Sequence, residues 1–341
     1  MEEPALFTAA EWNVQALFDG QEKGNEYGEY LGAAGWTPEK YTARLTAISQ
    51  ALLQMAVMPE GKTAQKPVPD LVGFVEIENA RVLEDLAGGA LSKYGYSWTA
   101  FANVPGSPLG IGFLSRFPIE ETKVHSITAG KETAPRPVLE LRVAPGGKPL
   151  VFMLCHWKSK LGGDNATEVL RRASARVIQR RLREIKQTEP GTPVIIMGDL
   201  NENHDEFSRR SGKYLCALLP DTPNAAALAG RSRGALRECL VLSGENPPRA
   251  SAFPDDACVL YSPWAGELED GSYYYQGGWE TIDHFLLSDG LFDGAGWEYS
   301  GCRVLNQEPF TGAEGVPIAY NPRTGRGLSD HLPLVLHLEN R

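Results

Sequence analysis

The stretch Pro193-Val-Ile-Ile-Met-Gly-Asp199-Leu-Asn201-Glu-Asn203 is where the reading of this chain begins. An apolar, β-branched run stops at Gly198, and Asp199 and Asn201 follow two residues apart. Side chains alternate along a strand, so those two share a face at its end. A carboxylate beside a carboxamide can hold a water, a phosphate oxygen and a hard metal ion together. A buried strand running into an Asp/Asn turn has the same pattern. The other segments must decide between a site and a turn.

Outward from this stretch, strands alternate with helices. Residues 5–18 are expected to form an opening strand with Asn13 near its end. Thr37 as N-cap and Pro38 in the first turn introduce a helix over about 37–57, with Leu45, Ile48, Leu52 and Met55 on one face. Leu71-Val-Gly-Phe-Val-Glu76 reads as a short buried strand, and Asn79 as the cap of a helix to about 92. Strands follow at 96–102, 110–116, 137–144 and 149–157. Asn165 and Glu168 have capping-box spacing ahead of a basic helix to about 187. Its Val169, Ala173, Val177, Ile178, Leu182 and Ile185 are expected to face the core, and its arginines to face out. Residues 203–235 read as a helix-and-loop insertion, and 243–280, rich in Gly, Pro, Asp and Tyr, as a long surface loop. Strands are expected again at 281–288, 297–305 and 332–338. No repeat or composition break marks a linker, so residues 1–341 are read as one domain.

Composition sets limits on function. Hydrophobic residues at 42% and charged ones at 22% are ordinary for a folded soluble domain, and the longest apolar runs are strand-length, so no membrane insertion is expected. A formal charge of −10 argues against a long, purely electrostatic grip on nucleic acid, so any polyanionic substrate must be recognised locally. Cysteines 155, 216, 239, 258 and 302 lack zinc-type spacing and cannot all pair with one another, which favours a reducing compartment. Met-Glu-Glu-Pro enters the first apolar segment without a leader pattern, as in a cytoplasmic protein or an exported one trimmed of its signal. A monomer is expected.

Polar residues stand at six strand ends. Asn13 lies inside the opening strand, and Glu76 closes an apolar run. His156 ends Leu150-Val-Phe-Met-Leu-Cys and opens Trp157-Lys158-Ser159-Lys160. Asp199 and Asn201 end the central strand, Asp283 follows Thr281-Ile282, and Asp330-His331 precedes the last strand. Each has a plain reading: Glu76 as a capping or surface group, Asp283 as a turn anchor, His331 as a hydrogen-bonded imidazole. As a set, with apolar strands behind them, they read as one rim. His125, His204, His284 and His337 are read as structural, with His284 pointing away from the face of Asp283.

Taken in order, Trp12-Asn-Val, Val75-Glu-Ile-Glu-Asn, His156-Trp-Lys-Ser-Lys, Gly198-Asp-Leu-Asn, Ile282-Asp-His and Ser329-Asp-His resemble the endonuclease/exonuclease/phosphatase family, as does Gly112-Phe-Leu-Ser-Arg-Phe-Pro-Ile. That family includes pancreatic-type deoxyribonucleases, apurinic/apyrimidinic endonucleases, inositol-phosphate phosphatases and neutral sphingomyelinases. The resemblance implies a four-layer α/β sandwich with the site at one end of two packed sheets. It implies a metal site at Asn13, Glu76 and Asp330, with Glu76 as direct ligand. It makes His156 the donor that stabilises charge on phosphorus, and Asp199 and Asn201 the pair that positions or deprotonates water. It makes His331 the general acid/base, oriented by Asp283. Cys155 departs from the small polar residue expected before the histidine and is read as a buried thiol. The active-site tyrosine of the apurinic-site enzymes has no counterpart that the sequence alone identifies.

The residue types suit phosphoester hydrolysis. That reaction needs a nucleophilic water, neutralisation of non-bridging oxygens and stabilisation of a leaving alkoxide. Oxygen ligands such as Glu76 and Asp330 select Mg²⁺, with Mn²⁺ as alternative. A nuclease is the expected function, with Lys158 and Arg172 lining a phosphate path and Trp279 stacking on a base or sugar. The alternatives are a phosphatase or phosphodiesterase for a small phosphorylated compound or phospholipid, and a non-catalytic binding module that keeps the fold.

Overall fold

Two mixed β-sheets face one another, and helices cover their outer sides. The computed structural model describes residues 5–32, 35–55, 67–231 and 234–341. The six-stranded sheet runs in the order Trp297–Val304, Leu334–Asn340, Leu6–Leu17, Leu71–Ile77, Gly110–Ser115, Trp98–Ala102. The eight-stranded sheet runs Leu218–Pro220, Leu240–Ser243, Val259–Tyr261, Asp283–Leu287, Val194–Asp199, Leu150–His156, Val138–Val143, Ile119–His125.

The four layers follow from which strand faces are apolar. Phe7, Val75 and Phe113 of one sheet meet Leu141, Phe152, Met197 and Phe285 of the other in a shared core. A Cβ on Gly73 would lie 2.8 Å from Met197 Cε and 2.9 Å from Leu154 Cδ1, so the sheets pack through a glycine there. Helices Pro38–Met55 and Ala80–Gly88 cover the other face of the six-stranded sheet through Ile48, Leu52, Met55, Val82, Leu83 and Leu86. Helix Asp164–Thr188 covers the eight-stranded sheet through Ala173, Ile178 and Ile185, packed on Met153 and Ile196. Burying one such aliphatic side chain stabilises by about 1.5–3 kcal/mol, so these faces fix the orientation of every strand.

Several expectations are corrected. The long helix begins at Asp164 behind Gly163, which has no side-chain cap, while Asn165 accepts a hydrogen bond from Arg210. Glu168 does not cap either, because it is buried against Arg171 at 2.7 Å and accepts from the Ala217 amide at 2.9 Å. Arg171 is thus an inward arginine on a helix expected to turn its arginines out. Val169 is 42% exposed, and Leu170 takes the core position of the first turn. The second helix stops at Gly88 instead of running to 92. Residues 56 and 57 of the expected first helix lie outside the described residues.

The stretch 243–280 is not one surface loop. It contains strand Val259–Tyr261, the short helix Pro263–Gly266 and a hairpin of Tyr273–Tyr275 with Gly278–Glu280. Three-residue strands are too brief to show a period, and they exist because a neighbour pairs with them. Edge strand Ile119–His125 was hidden by its exposed charges, Glu120, Glu121 and Lys123, which also blunt the edge against further pairing. His125 pairs with Glu140 at 2.7 Å, and His284 turns from the site to the Glu202 carbonyl at 2.9 Å.

Candidate active site

Register brings the polar strand ends to one edge. Asp199 pairs with His156 on one side and with Asp283 on the other. In the six-stranded sheet Asn13 pairs with Val75, which sets Glu76 beside it. Glu11 pairs with Leu334, so Asp330 and His331 arrive at the same end on the strand's approach. Gly198 makes the central approach possible. At its φ of +118° a Cβ would fall 2.1 Å from the Cys155 carbonyl oxygen, which no other residue type can accommodate.

Asp283 and His331 form a pair at 2.8 Å through Oδ2 and Nδ1. The Ser272 hydroxyl donates to the same carboxylate oxygen at 2.6 Å, and Tyr273 stacks on the imidazole with ring centroids 4.6 Å apart. Burial works against charge on the His331 ring, but the adjoining Asp283 outweighs it and holds the pKa well above the usual histidine value. The ring is therefore cationic near neutral pH. Burial, with Asp283 nearby, raises the Asp199 carboxyl too, up to about 7, which here favours the neutral form. The site thus sets a cationic imidazole beside a carboxyl held back from ionising.

Asn13 is the bridge between the sheets. Its Nδ2 donates to Asp199 Oδ2 at 3.1 Å and to Glu76 Oε1 at 3.4 Å, while its Oδ1 accepts from the Gln15 amide at 2.9 Å. Glu76 Oε2 accepts from the Ala16 amide at 2.9 Å. The Asn201 amide donates to Asp199 Oδ1 at 2.8 Å, and its side chain turns to the Trp157 carbonyl.

His156 Nε2 lies 3.6 Å from Asp199 Oδ2 and 3.8 Å from Glu76 Oε1. Arg136 Nη2 is 2.9 Å from that same nitrogen, which makes the nitrogen an acceptor and puts the proton on Nδ1. Burial and then the Arg136 charge hold the His156 pKa well below the usual value, so the ring is neutral. Arg136, rather than His156, carries the free positive charge here. The sequence did hint at it: Pro135-Arg136-Pro137 leads into the strand beside His156, since Leu139 pairs with Leu154.

The donor set fits a hard divalent ion. Asp199, Asp283 and His331 offer ligand atoms within 4.8 Å of one another. Asp283 and His331, however, are already bound to each other, and Asp283 is fully buried. Glu76, with 23% of its side chain exposed, keeps an open face next to Asp199. The half-buried Asp330 lies close enough for its charge to act on His331 and Tyr273. Carboxylate oxygens of the kind that Glu76 and Asp330 carry match the chemistry of Mg²⁺ or Mn²⁺. The Asn13 oxygen accepts from the Gln15 amide, while its Nδ2 holds the Glu76 and Asp199 carboxylates.

The three expected substrate contacts divide. Lys158 folds over its own turn onto the Ser159 and Leu161 carbonyls, within reach of the Arg136 charge. Arg172 pairs with Glu238 at 3.3 Å, and none of its recorded partners belongs to the site. Trp279 sits edge-on to its hairpin partner Tyr274 at 5.2 Å and packs on the core beneath the six-stranded sheet, whereas Tyr273 faces His331. Arg172 and Trp279 are thus withdrawn as site residues, because an ion pair and an apolar contact hold them elsewhere.

This edge gathers carboxylates from both sheets and a histidine held by an aspartate. The sequence model of the Endonuclease/Exonuclease/phosphatase family matches residues 8–219, and the chain belongs to that family, whose members are phosphoester hydrolases. A search of curated proteins finds no match. Among solved structures, truncated TDP2 of Caenorhabditis elegans is similar at 14% identity and TM-score 0.55, over 98% of this chain and 97% of that one. The human Nocturnin catalytic domain with bound sulfate gives 16% identity and TM-score 0.54, over 98% and 95%. D. rerio TDP2 complexed with single strand DNA product gives 14% and 0.53, over 98% and 99%. At these identities the likeness is one of fold.

Proposed function

We propose that the chain hydrolyses phosphodiester bonds with a divalent metal ion, and that its substrate is nucleic acid. One observation carries the reading: a carboxyl titrating near 7, Asp199, stands between the open carboxylate Glu76 and a histidine kept cationic by Asp283. Glu76 and Asp330 are the residues that would hold Mg²⁺ or Mn²⁺, which when bound supplies neutralisation of phosphate oxygens. Arg136 offers its guanidinium to a non-bridging oxygen. Asp199, oriented by the Asn13 amide and the Asn201 N–H, takes the proton of the attacking water. His331 gives its proton to the leaving alkoxide. One proton passing from Asp199 to His331 then restores both groups.

Nucleic acid is favoured by the single-stranded DNA product bound to the similar D. rerio TDP2. A small phosphorylated compound is the second reading, favoured by the net charge of −10 and by the engagement of Arg172 with Glu238. The test compares release of acid-soluble nucleotides from DNA with release of phosphate from phosphomonoesters and of phosphocholine from sphingomyelin, with Mg²⁺ and with EDTA. DNA cleavage that EDTA abolishes and Mn²⁺ restores is the expected result. Turnover of phosphomonoesters alone would give the site to a phosphatase, and turnover undiminished in chelator would remove the metal from the reading.

A further inference from the structure

Behind the site, a single arginine on the first helix grips the turn that Asn13 and Glu76 depend on. Arg44 is buried at 2% exposure, and among the described residues no carboxylate pairs with it. Its Nη2 donates to the carbonyls of Val14 at 2.5 Å and Gln15 at 2.7 Å, and its Nη1 donates to Ala16 at 3.0 Å and to the Tyr30 hydroxyl at 2.9 Å. Tyr320 covers the guanidinium at 3.7 Å. Gln15 and Ala16 have φ of 49° and 54°, a left-handed pair in which non-glycine residues are rare, and the pairing with Leu71–Ile77 breaks register there. A segment held in such a conformation persists only where its surroundings over-determine it.

The same peptide units face two ways. Their carbonyls point to Arg44, while the Gln15 and Ala16 amides point to Asn13 Oδ1 and Glu76 Oε2. The Gln15 side chain accepts from the Tyr320 amide at 2.6 Å and the Asp330 amide at 3.1 Å, which ties the residue before His331 to the same turn.

We infer that Arg44 is a positioning residue: by holding three successive carbonyls it aims two backbone amides at Asn13 and Glu76 and so pre-forms the metal-binding edge. This rests on the metal-dependent reading above for its consequence, though not for the clamp itself. Lysine in its place carries a point charge and cannot span three carbonyls in a fixed fork.

The experiment uses the full chain with Arg44→Lys and Tyr30→Phe. Amide hydrogen exchange without metal is read at Gln15 and Ala16, and Mn²⁺ affinity and Mn²⁺-dependent turnover of bis(p-nitrophenyl) phosphate are read beside it. Arg44→Lys is expected to speed exchange at those two amides at least about 10-fold, with the Leu71–Ile77 amides unchanged. It is expected to weaken Mn²⁺ binding about 10-fold, within the range seen when groups supporting a metal ligand are lost, with kcat largely recovered at saturating metal. Tyr30→Phe, which removes one partner of Arg44 and a hydroxyl that itself reaches the Gln15 carbonyl at 3.4 Å, gives a smaller change in the same direction and decides the matter if Arg44→Lys does not fold. Exchange and Mn²⁺ affinity equal to the parent's, with only the melting temperature lowered, would overturn the assignment. A parent that neither binds Mn²⁺ nor turns over would sink the hydrolase reading, and the exchange measurement would still judge the clamp.

Discussion

His331 Nδ1 lies 2.8 Å from Asp283 Oδ2, and the two arrive from different sheets. Asp283 begins a strand of the eight-stranded sheet, and His331 precedes the last strand of the six-stranded one. The pair is therefore a consequence of sheet packing, and it fixes both the tautomer and the charge of the ring. Asp283→Asn keeps the shape and removes the charge. We expect kcat to fall by about 10²–10⁴ with KM little changed, as for loss of a positioned acid–base group. The sign of the pH effect follows from the raised pKa of His331. The parent loses its acid only as pH rises through that raised value, so in the variant the alkaline limb of the rate profile moves to lower pH. A variant with parental kcat and an unmoved limb would exclude His331 as the acid.

Asp199 has the opposite bias. Burial and Asp283 hold its carboxyl up to about 7, so as a base it is lost as pH falls through that value. A bound cation nearby favours the carboxylate. The acid limb of kcat/KM should then move to lower pH as Mg²⁺ is raised, and Asp199→Asn should remove the limb together with about 10²–10⁴ of the rate. Profiles at low and saturating Mg²⁺ check this directly. An acid limb indifferent to Mg²⁺ would place the titrating group elsewhere.

What the sequence made legible was the rim, because each strand-end residue interrupts an apolar run. Asn13, Glu76, His156, Asp199, Asp283 and His331 meet at one edge of the two sheets for that reason. Arg44 was hidden because its partners are backbone carbonyls and a tyrosine hydroxyl, and Arg136, whose partner is a neutral imidazole, was marked only by its place ahead of the strand beside His156. Such partners leave no complementary charge in the sequence to find. Arg172 misled for the converse reason: a helix arginine looks free until Glu238, 66 residues away, is folded against it. The short strands at Leu218–Pro220 and Val259–Tyr261 were illegible because their hydrogen bonds come from neighbours rather than from local propensity.

Arg136 should matter more for binding than its loop position suggests. Its partly buried guanidinium sits between His156 and the Trp157 carbonyl. Charge-assisted hydrogen bonds contribute about 1.5–3 kcal/mol, so Arg136→Ala is expected to lower kcat/KM by about 10–100-fold. Arg136→Lys should recover only part of it, since a lysine cannot hold His156 and a phosphate oxygen in one fork. Steady-state kinetics on a phosphodiester, with a melting curve for each variant, separates this from unfolding. Parental kcat/KM in Arg136→Ala would leave phosphate binding without its guanidinium.

Glu11 gives a prediction about stability rather than rate. It is fully buried two residues before Asn13, and among the described residues neither carboxyl oxygen has a hydrogen-bond partner. Burial, with Asp283 and Asp199 near, raises its pKa well above the ordinary glutamate value of 4.5. Below that value both folded and unfolded chains carry the proton. Above it the unfolded chain releases the proton while the folded one keeps it, so this residue lowers stability by about 1.4 kcal/mol per pH unit until the folded group itself ionises. Glu11→Gln is nearly isosteric, stays neutral and removes the linkage. Denaturant unfolding at about pH 5, 6 and 7 should show the variant gaining on the parent by that slope, with KM for substrate unchanged. Parallel stability profiles would mean that Glu11 is ionised in the fold, with the His331 cation outweighing burial and the two aspartates.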